Sequence, residues 1–492
     1  MRERQGPRER QGPRERQGPR ERQGPREQRE AARGRRRVRA RSATAVLLAL
    51  ASLGASAAAA SATAAQASPP RSGVYAVEGY GTVLALRGAT LRSYETTALS
   101  CLPGPTARAT GRPGVYEVED DDAHPTSTVR LTGRTGTLHD WGSAGDKRLR
   151  RLTHLPATCA DGAGSTDALV SFDIFWQTFA ENYPFFAQHG MDWQAVRDRY
   201  RPRVHADMTP DALFALLGEM VRPLRDAHIS LERGDGQPTA WVRPGTVVPG
   251  PALDARVREL VERRDLRGTP LTPYANGRIG YADLPGDLGY LRISGFGGYD
   301  AADRSYPGQL RALDAALDGV FTKERTRRLR GLVLDLRVNG GGADALGLRL
   351  AGRLTNTPYT AYRKRTRATR PQPVPVTPAA GVPRFTGPVA VLTGGSTFSA
   401  GETATQALIE RPARTVRIGE ATQGVFSDVM ERTLPNGLAF TLPNEEFLNR
   451  AGRSFDVTGI PPERATPVFT EEEFAHDRDS AFDAALRELG RG

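Results

Sequence analysis

The sequence predicts an α/β protein in which a small antiparallel β domain and a helical layer precede the core. Three observations predict this order. Residues 286–470 alternate apolar strand-like runs with helical patterns, which is typical of a sheet with parallel pairs and packed helices. Residues 166–236 contain amphipathic helical patterns that start with an aromatic stripe. Residues 72–160 consist of short alternating runs broken by Gly and Pro.

Residues 1–42 form a charged leader of low complexity. The hexapeptide "RERQGP" recurs four times between Arg2 and Pro25 and has nothing to bury. The leader holds 16 Arg and 6 Glu, which leaves 52 of the 68 basic and 50 of the 56 acidic residues to the rest of the chain. The net charge of +12 therefore arises mainly in the leader. The remainder has no basic stripe with interleaved aromatics, so nucleic acid is not expected as a partner.

Residues 43–67 have the composition of a secretory signal peptide. Arginines precede an apolar stretch from Ala43 to Ala60, and Ala65-Gln66-Ala67 fits a cleavage site. A retained membrane anchor is the alternative. The stretch is rich in Ala and Ser and poor in Leu and Ile, which favours cleavage near Ala67. We therefore expect a secreted or extracytoplasmic protein with no permanent membrane span after cleavage.

The only two cysteines, Cys101 and Cys159, both fall in the predicted β domain. An even pair in an exported protein favours one disulfide, with two separate thiols as the alternative. This domain carries no constellation of catalytic residues and is predicted to be accessory. Beyond the helical subdomain, residues 237–285 are predicted to be an irregular insert and residues 471–492 a C-terminal amphipathic helix.

Two junctions between strand and helix in the predicted core are rich in glycine. They are "NGGG" at Asn339–Gly342 and "TGGSTFSAGE" at Thr393–Glu402. Ligands of α/β sheets bind where strands end and helices begin. Ser399 stands at a predicted helix start, where unpaired backbone N–H groups such as that of Ala400 favour negative charge. Ordinary turns and a simple helix cap are the alternatives.

A serine nucleophile needs a base to take its proton. Of the seven histidines, His228 is favoured because "LRDAHISL" places it directly after a helix and before an apolar alternating run. A purely structural histidine is the alternative. A third residue, a carboxylate that orients the imidazole, would complete a triad, but residue patterns alone do not choose among the candidates.

Several motifs in order resemble a known family. "GLVLDLRVNGGG", "VLTGGSTFSAGE", "VRIGEATQG" and "SFDVTGIPPE" together resemble the core of the S41 serine peptidases, the tail-specific and tricorn-core family. "LRDAHISL" resembles the Asp-x-His segment that precedes that core. The resemblance covers roughly residues 166–470 and implies a ClpP/crotonase-like core sheet. One branch of the family uses a lysine base in the segment matched by "GEATQG", where this chain has Val425.

The catalytic residues of the tricorn-like branch can be matched one by one to positions of this chain. Its pattern implies Ser399 as nucleophile and His228 as base. Asp456 stands where the orienting carboxylate is expected, although it is one methylene shorter than the usual glutamate. The resemblance also implies oxyanion donors at the backbones of Ala400 and Gly341, with Gly342 as the near alternative.

The activity implied is that of a serine endopeptidase. It would hydrolyse peptide bonds of peptide or protein substrates through an acyl-enzyme, without a metal or organic cofactor. The alternative is a non-hydrolytic protein of the same fold that binds a lipophile or a peptide. The insert at 237–285 is too short for the PDZ domain that many family members carry.

Overall fold

The computed structural model describes residues 72–120, 123–160, 165–234, 236 and 238–490. The predicted leader and signal peptide lie outside the described residues. The described chain builds a β barrel, a helical layer and an α/β core in that order.

The predicted β domain is a closed barrel of eight antiparallel strands. The strands are β1 Ser72–Val77, β2 Thr82–Arg87, β3 Thr90–Thr96, β4 Cys101–Ala109, β5 Val115–Glu119, β6 Pro125–Thr132, β7 Thr135–Asp140 and β8 Lys147–Leu152. Strand β8 pairs with β1, with Val74 opposite Leu152, so no strand edge is left open. Alternate side chains such as Tyr75 and Leu84 fill the interior. A disulfide joins Cys101 at the start of β4 to Cys159 beyond β8.

Three helices with side-chain caps follow the barrel. They are α1 Ala168–Asn182, α2 Trp193–Tyr200 and α3 Pro210–Val221. Asp167, Asp192 and Thr209 accept backbone N–H groups of the first turns, which is the usual way to satisfy these donors. The predicted aromatic stripe is buried, and Phe175 and Phe179 pack against Phe440 of the core.

The segment predicted as an irregular insert contains regular structure. Strand β9 Ser230–Arg233 lies just before this segment. The segment itself contains β10 Thr239–Ala240, α4 Pro251–Leu260, a π-helical turn at Val261–Asp265, β11 Thr272–Tyr274 and β12 Ile279–Leu284. Strands β11 and β12 belong to the core sheet. The main sheet therefore begins before residue 286, where the core was predicted to start, because Ile279 to Leu284 pair along their whole length with residues 288–293.

The core continues with strands and helices in alternation. These are β13 Leu288–Ile293, α5 Tyr306–Val320, α6 Lys323–Arg328, β14 Gly331–Asp335, β15 Val338–Asn339, α7 Asp344–Gly352, β16 Tyr359–Thr366, β17 Gln372–Val376, β18 Val389–Thr393, β19 Ser396–Thr397, α8 Ala400–Ile409 and β20 Thr415–Gly419. The last elements are β21 Val429–Thr433, β22 Leu438–Pro443, β23 Glu445–Leu448, β24 Arg464–Ala465, α9 Glu471–Ala475 and α10 Ser480–Leu489.

The main sheet has seven strands in the order β11-β12-β13-β14-β18-β20-β24. Within this sheet, the strands β13, β14, β18, β20 and β24 run parallel to one another. Both faces are covered, as parallel sheets require. Leu332 and Leu334 of β14 pack on one face with α5, α7 and α8, whereas Val333 packs on the other face with α4 and α10.

The topology brings the two glycine-rich junctions together. Strands β14 and β18 are parallel neighbours, so their carboxyl ends meet at one edge of the sheet. The short strands that follow them, β15 and β19, also pair in parallel, with Val338 opposite Ser396 and Asn339 opposite Thr397. The loops that contain the predicted nucleophile and the predicted oxyanion donors are therefore neighbours.

A second sheet attaches the His228 segment to the core. Strands β21 and β22 form a hairpin that turns at Asn436-Gly437. Strand β22 also pairs with β9, placing Thr441 opposite Ser230. Through this pairing His228, two residues before β9, is held by the core although it is distant from it in sequence.

The predicted single C-terminal helix is two helices, α9 and α10. Asp479 lies between them, where its carboxylate accepts the N–H of Phe482 at 2.8 Å and so caps α10. The same carboxylate pairs with the buried guanidinium of Arg337, with 2.6 Å between Nη1 and Oδ1. Because Asp479 caps α10 and pairs with Arg337, the helix that the periodicity predicts is interrupted at this residue.

Candidate active site

Ser399 occupies a strained turn between β19 and α8. Its φ of 53° and ψ of −120° lie in a region that residues other than glycine rarely adopt. A sharp turn of this kind between a strand and a helix can present a serine hydroxyl outward, as it does in α/β hydrolases. The residue is half-buried, so its side chain is accessible at the edge of the sheet.

The carboxylate of Glu402 holds this turn by accepting hydrogen bonds from backbone N–H groups. The N–H of Ser399 donates to Glu402 Oε2 at 3.2 Å, and the N–H groups of Gly424 and Val425 donate to the same carboxylate at 2.6 and 2.9 Å. Burial raises the pKa of Glu402 to about 7, against the opposing effect of these donors. Sequence reasoning missed this residue, although the Ser-x-x-Glu spacing of a capping box was available as a signal.

Val425 occupies the place of the lysine base used in the other branch of the resemblance. Its N–H and that of Ser399 share one oxygen of Glu402, so the two backbones are close. Val425 is buried and apolar. A lysine base is therefore excluded at this position, and the base has to come from another segment.

Gly341 contacts Ser399 directly. A Cβ built on Gly341 would lie 2.6 Å from the Cβ of Ser399 and 3.1 Å from the nitrogen of Ala400, and its φ of +75° also favours glycine. However, the N–H of Gly341 donates to Asn339 Oδ1 at 3.0 Å. Among the described residues, the N–H groups of Gly342 and Ala400 have no protein acceptor. In this structure Asn339 therefore occupies the N–H of Gly341, and the oxyanion roles expected of Gly341 and Gly342 stay predictions.

Asn339 ties the two loops together and was also missed from sequence. Its side chain accepts from Gly341 N–H and donates to the carbonyl of Ile293 at 2.8 Å. Its backbone carbonyl accepts the N–H of Phe398 at 3.0 Å. The residue is fully buried, so these bonds replace its contacts with water.

His228 lies beside the residue that precedes the serine. Its ring meets the ring of Phe398 edge-on, with 5.2 Å between the centroids. Its backbone N–H donates to Asp226 Oδ1 at 3.0 Å, and its carbonyl accepts from Thr441 Oγ1 at 2.8 Å. Burial lowers the pKa of His228 to about 4, although the carboxylate of Asp428 opposes this shift. The imidazole is therefore neutral at pH 7 and able to accept a proton.

Asp456 is near these groups but is not bonded to His228. Its Oδ1 accepts the N–H of Phe426 at 3.1 Å, and Oδ2 accepts the hydroxyl of Ser454. His228 Nδ1 is buried and has no partner among the described residues. The expected link between the carboxylate and the imidazole is absent from this structure, because the short Asp456 side chain is satisfied by its own neighbourhood.

Buried acids surround the base and the nucleophile. Burial raises the pKa of Asp456 well above its usual range, and the nearby carboxylates of Asp226 and Glu402 raise it further. Burial also raises the pKa of Asp226 to about 6, while the N–H of His228 and the hydroxyl of Tyr183 stabilise its ionised form. Sequence reasoning missed Asp226, whose position two residues before His228 suits a side-chain bond to the following backbone.

Two segments of the chain match models of known protein families. Residues 287–466 match the model of peptidase family S41, and residues 166–222 match the tricorn protease C1 domain. The chain contains a peptidase family S41 domain. The predicted resemblance to S41 and tricorn peptidases is confirmed, and the matched domain is that of a serine-type peptidase. The barrel lies outside both matches.

One solved peptidase structure shows the same fold, and two further proteases are similar over part of the chain. A candidate peptidase from Parabacteroides merdae superposes with a TM-score of 0.54 at 23% identity, covering 66% of this chain and 97% of that chain. Mature CPAF in complex with lactacystin superposes with a TM-score of 0.46 at 12% identity, covering 66% of this chain and 97% of that chain. The photosystem II D1 C-terminal processing protease superposes with a TM-score of 0.41 at 18% identity, covering 64% of this chain and 98% of that chain. No curated protein matches the chain.

No helix in the described part of the chain combines the length and the apolar character needed to cross a bilayer.

Proposed function

We propose that this S41 peptidase cleaves internal peptide bonds through an acyl-enzyme on Ser399, with His228 as general base. The observation that supports this most is the strained turn at Ser399, which precedes the unpaired N–H of Ala400 and contacts Gly341, the neighbour of Gly342 with its own unpaired N–H. A carbonyl attacked by Ser399 would develop its negative charge beside these two donors. Preorganised donors of this kind are usually the largest electrostatic contribution to acyl transfer.

The proposed reaction proceeds in two half-reactions. The oxygen of Ser399 bonds to the peptide carbonyl carbon while neutral His228 accepts the hydroxyl proton. His228 then gives that proton to the leaving nitrogen as the C–N bond breaks. Water attacks the resulting ester in the same way, releasing the acid and restoring Ser399.

We assign the orienting carboxylate to Asp456 and propose that it moves on substrate binding. An imidazolium formed at buried His228 needs a nearby negative charge, and His228 Nδ1 has an unused hydrogen-bonding position. Leaving the hydroxyl of Ser454 would free one oxygen of Asp456 for this role. Catalytic hydrogen bonds are often longer or misaligned before substrate binds.

A fluorophosphonate probe tests the nucleophile. The probe should label the wild-type protein, and Ser399→Ala should abolish labelling. Ser396→Ala is the comparison within the same loop and should still be labelled. Labelling that survives in Ser399→Ala would show that another residue is the nucleophile. A folded wild-type protein that neither reacts with the probe nor hydrolyses peptides would support the non-hydrolytic alternative.

We also propose that the protein is exported. The disulfide between Cys101 and Cys159 supports this, because it links barrel strand β4 to a position 58 residues later and such bonds persist in oxidising compartments. Residues 1–67 fused to a reporter that is active only outside the cytoplasm should export it with cleavage near Ala67. A reporter that stays in the cytoplasm would contradict the proposal.

A further inference from the structure

Residues 243–249, here called the strap, cross both glycine-rich loops. They lie between the two segments that match family models, which end at residue 222 and resume at residue 287. Nothing in the proposed reaction uses the strap. Its contacts nevertheless connect it to the loops that carry Ser399 and Gly342.

The strap is pinned to the nucleophile loop through its backbone. Ser396 Oγ donates to the carbonyl of Val247 at 2.8 Å, and the N–H of Val247 reaches the carbonyl of Gly395 at 3.4 Å. A Cβ on Gly395 would lie 3.1 Å from the carbonyl oxygen of Gly245. The strap thus packs closely on residues three and four positions before Ser399.

Its two ends are held by other parts of the site. Arg243 donates to the carbonyls of Thr422 and Gln423 at 2.6 and 3.0 Å, and Gln423 Nε2 donates to Thr246 Oγ1 at 3.0 Å. At the other end, Pro249 is the side chain nearest to Gly340 of the "NGGG" loop, 4.0 Å from a Cβ built there. The strap therefore runs from residues 422–423, which precede the segment bound to Glu402, to the "NGGG" loop.

Two adjacent valines on this pinned segment are exposed. Val247 has 59% and Val248 49% of its surface accessible, and the other large exposed hydrophobic residues among those described are Leu99 and Val429. Exposed apolar side chains that are adjacent often mark a binding surface. Because the backbone is already held, a ligand that covers these valines would lose little of its binding energy to ordering the segment.

We propose that the strap is one wall of the substrate groove. In this arrangement Val247 and Val248 contact side chains of an extended peptide next to the scissile bond and select apolar residues there. The reason is continuity with the site, since a peptide whose carbonyl reaches Ser399 must pass over the loops that the strap borders. The inference rests on the proposed function and adds a substrate preference to it.

The test compares two fluorogenic peptides that differ only in having Leu or Ser at the positions flanking the cleaved bond. The double variant Val247→Ser/Val248→Ser should lower kcat/KM for the Leu peptide about tenfold or more, with little change for the Ser peptide. Val247→Thr/Val248→Thr repeats the test with nearly the same side-chain shape. Leu99→Ser, which removes an apolar side chain of 54% exposure from the barrel, should leave the ratio unchanged.

Fluorophosphonate labelling separates the two levels of the proposal. The double variants should be labelled at the wild-type rate, because the small probe need not reach the strap. An unchanged Leu/Ser ratio with intact labelling would overturn the inference while leaving the proposed function standing. A change from dimer to monomer with an unchanged ratio would assign the valines to contact between two copies and would also overturn it. Absence of labelling in the wild-type protein would overturn the proposed function and the inference together.

Discussion

Gly341 and Ser399 touch because residue 341 has no side chain. A Cβ at this position would lie 2.6 Å from the Cβ of the serine, well inside the distance that two carbon atoms tolerate. The contact joins the "NGGG" loop to the proposed nucleophile and to Ala400, whose nitrogen would lie 3.1 Å from the same Cβ.

Gly341→Ala should therefore lower kcat on the order of a hundredfold or more, similar to loss of an oxyanion donor. The added methyl group would displace Ser399 or the loop, and the φ of +75° would add strain. Gly340→Ala is a matched control, because its Cβ would meet nothing closer than 3.9 Å. Peptide hydrolysis by both purified variants provides the measurement, and equal losses would contradict the prediction.

The acid limb of the pH profile should lie near pH 4. Burial lowers the pKa of His228 to about 4, so the imidazole stays neutral and basic well below the usual value of about 6.5. As the pH falls through the lowered pKa, the imidazole gains a proton and can no longer accept one from Ser399. The dependence of kcat/KM on pH, measured where circular dichroism shows a folded protein, checks this. A limb between pH 6 and 7 would contradict it.

Asp456→Asn should reduce kcat about a hundredfold or more, because an amide cannot stabilise the imidazolium. Asp456→Glu should retain much more activity, since the carboxylate is kept and reaches one methylene further towards His228. Steady-state kinetics of the two variants distinguish charge from packing at this buried position. A wild-type rate for Asp456→Asn would transfer the orienting role to another acid, for which Asp428 is the first candidate because its charge already acts on His228.

Stability should depend on pH through Glu402. Its pKa is raised to about 7 in the folded protein against 4.5 ordinarily, so the fold favours the protonated form. This stabilisation is fully present below pH 4.5 and is lost as the pH rises through 7. Relative to Glu402→Gln, the wild-type protein should lose about 3 kcal/mol of unfolding free energy over this interval. Denaturant unfolding at several pH values measures the difference, and parallel curves would refute it.

Asp479→Asn should destabilise the fold by about 3 kcal/mol, because it leaves the buried guanidinium of Arg337 with less compensation. The asparagine can still cap α10, which isolates the charge effect. Glu471→Gln is the exposed counterpart, since its pair with Arg256 lies at the surface, and a much smaller loss of stability is expected. Chemical denaturation compares the two. Similar losses would show that burial of the Arg337 pair is unimportant.

Local patterns predicted most of the secondary structure but not every boundary. The strands around Val333 and Val391 and the helix after Ser399 follow from runs of apolar residues and from periodicity. The antiparallel edge of the core sheet was missed, because Thr272–Tyr274 and Ile279–Leu284 are short and their pairing partners are what define them. The C-terminal helix was predicted as one because an amphipathic pattern does not show that Asp479 binds Arg337.

The amino-acid sequence by itself determined the family motifs, the strand-to-helix junctions and the candidates Ser399 and His228. These depend on residue types within a few positions of one another. Only the tertiary structure decided that Asn339 occupies the amide of Gly341, that Asp456 binds Ser454 instead of His228, and that the strap crosses the site. Such outcomes depend on contacts between distant segments and on the removal of water from buried groups, and neither quantity is encoded in a local pattern.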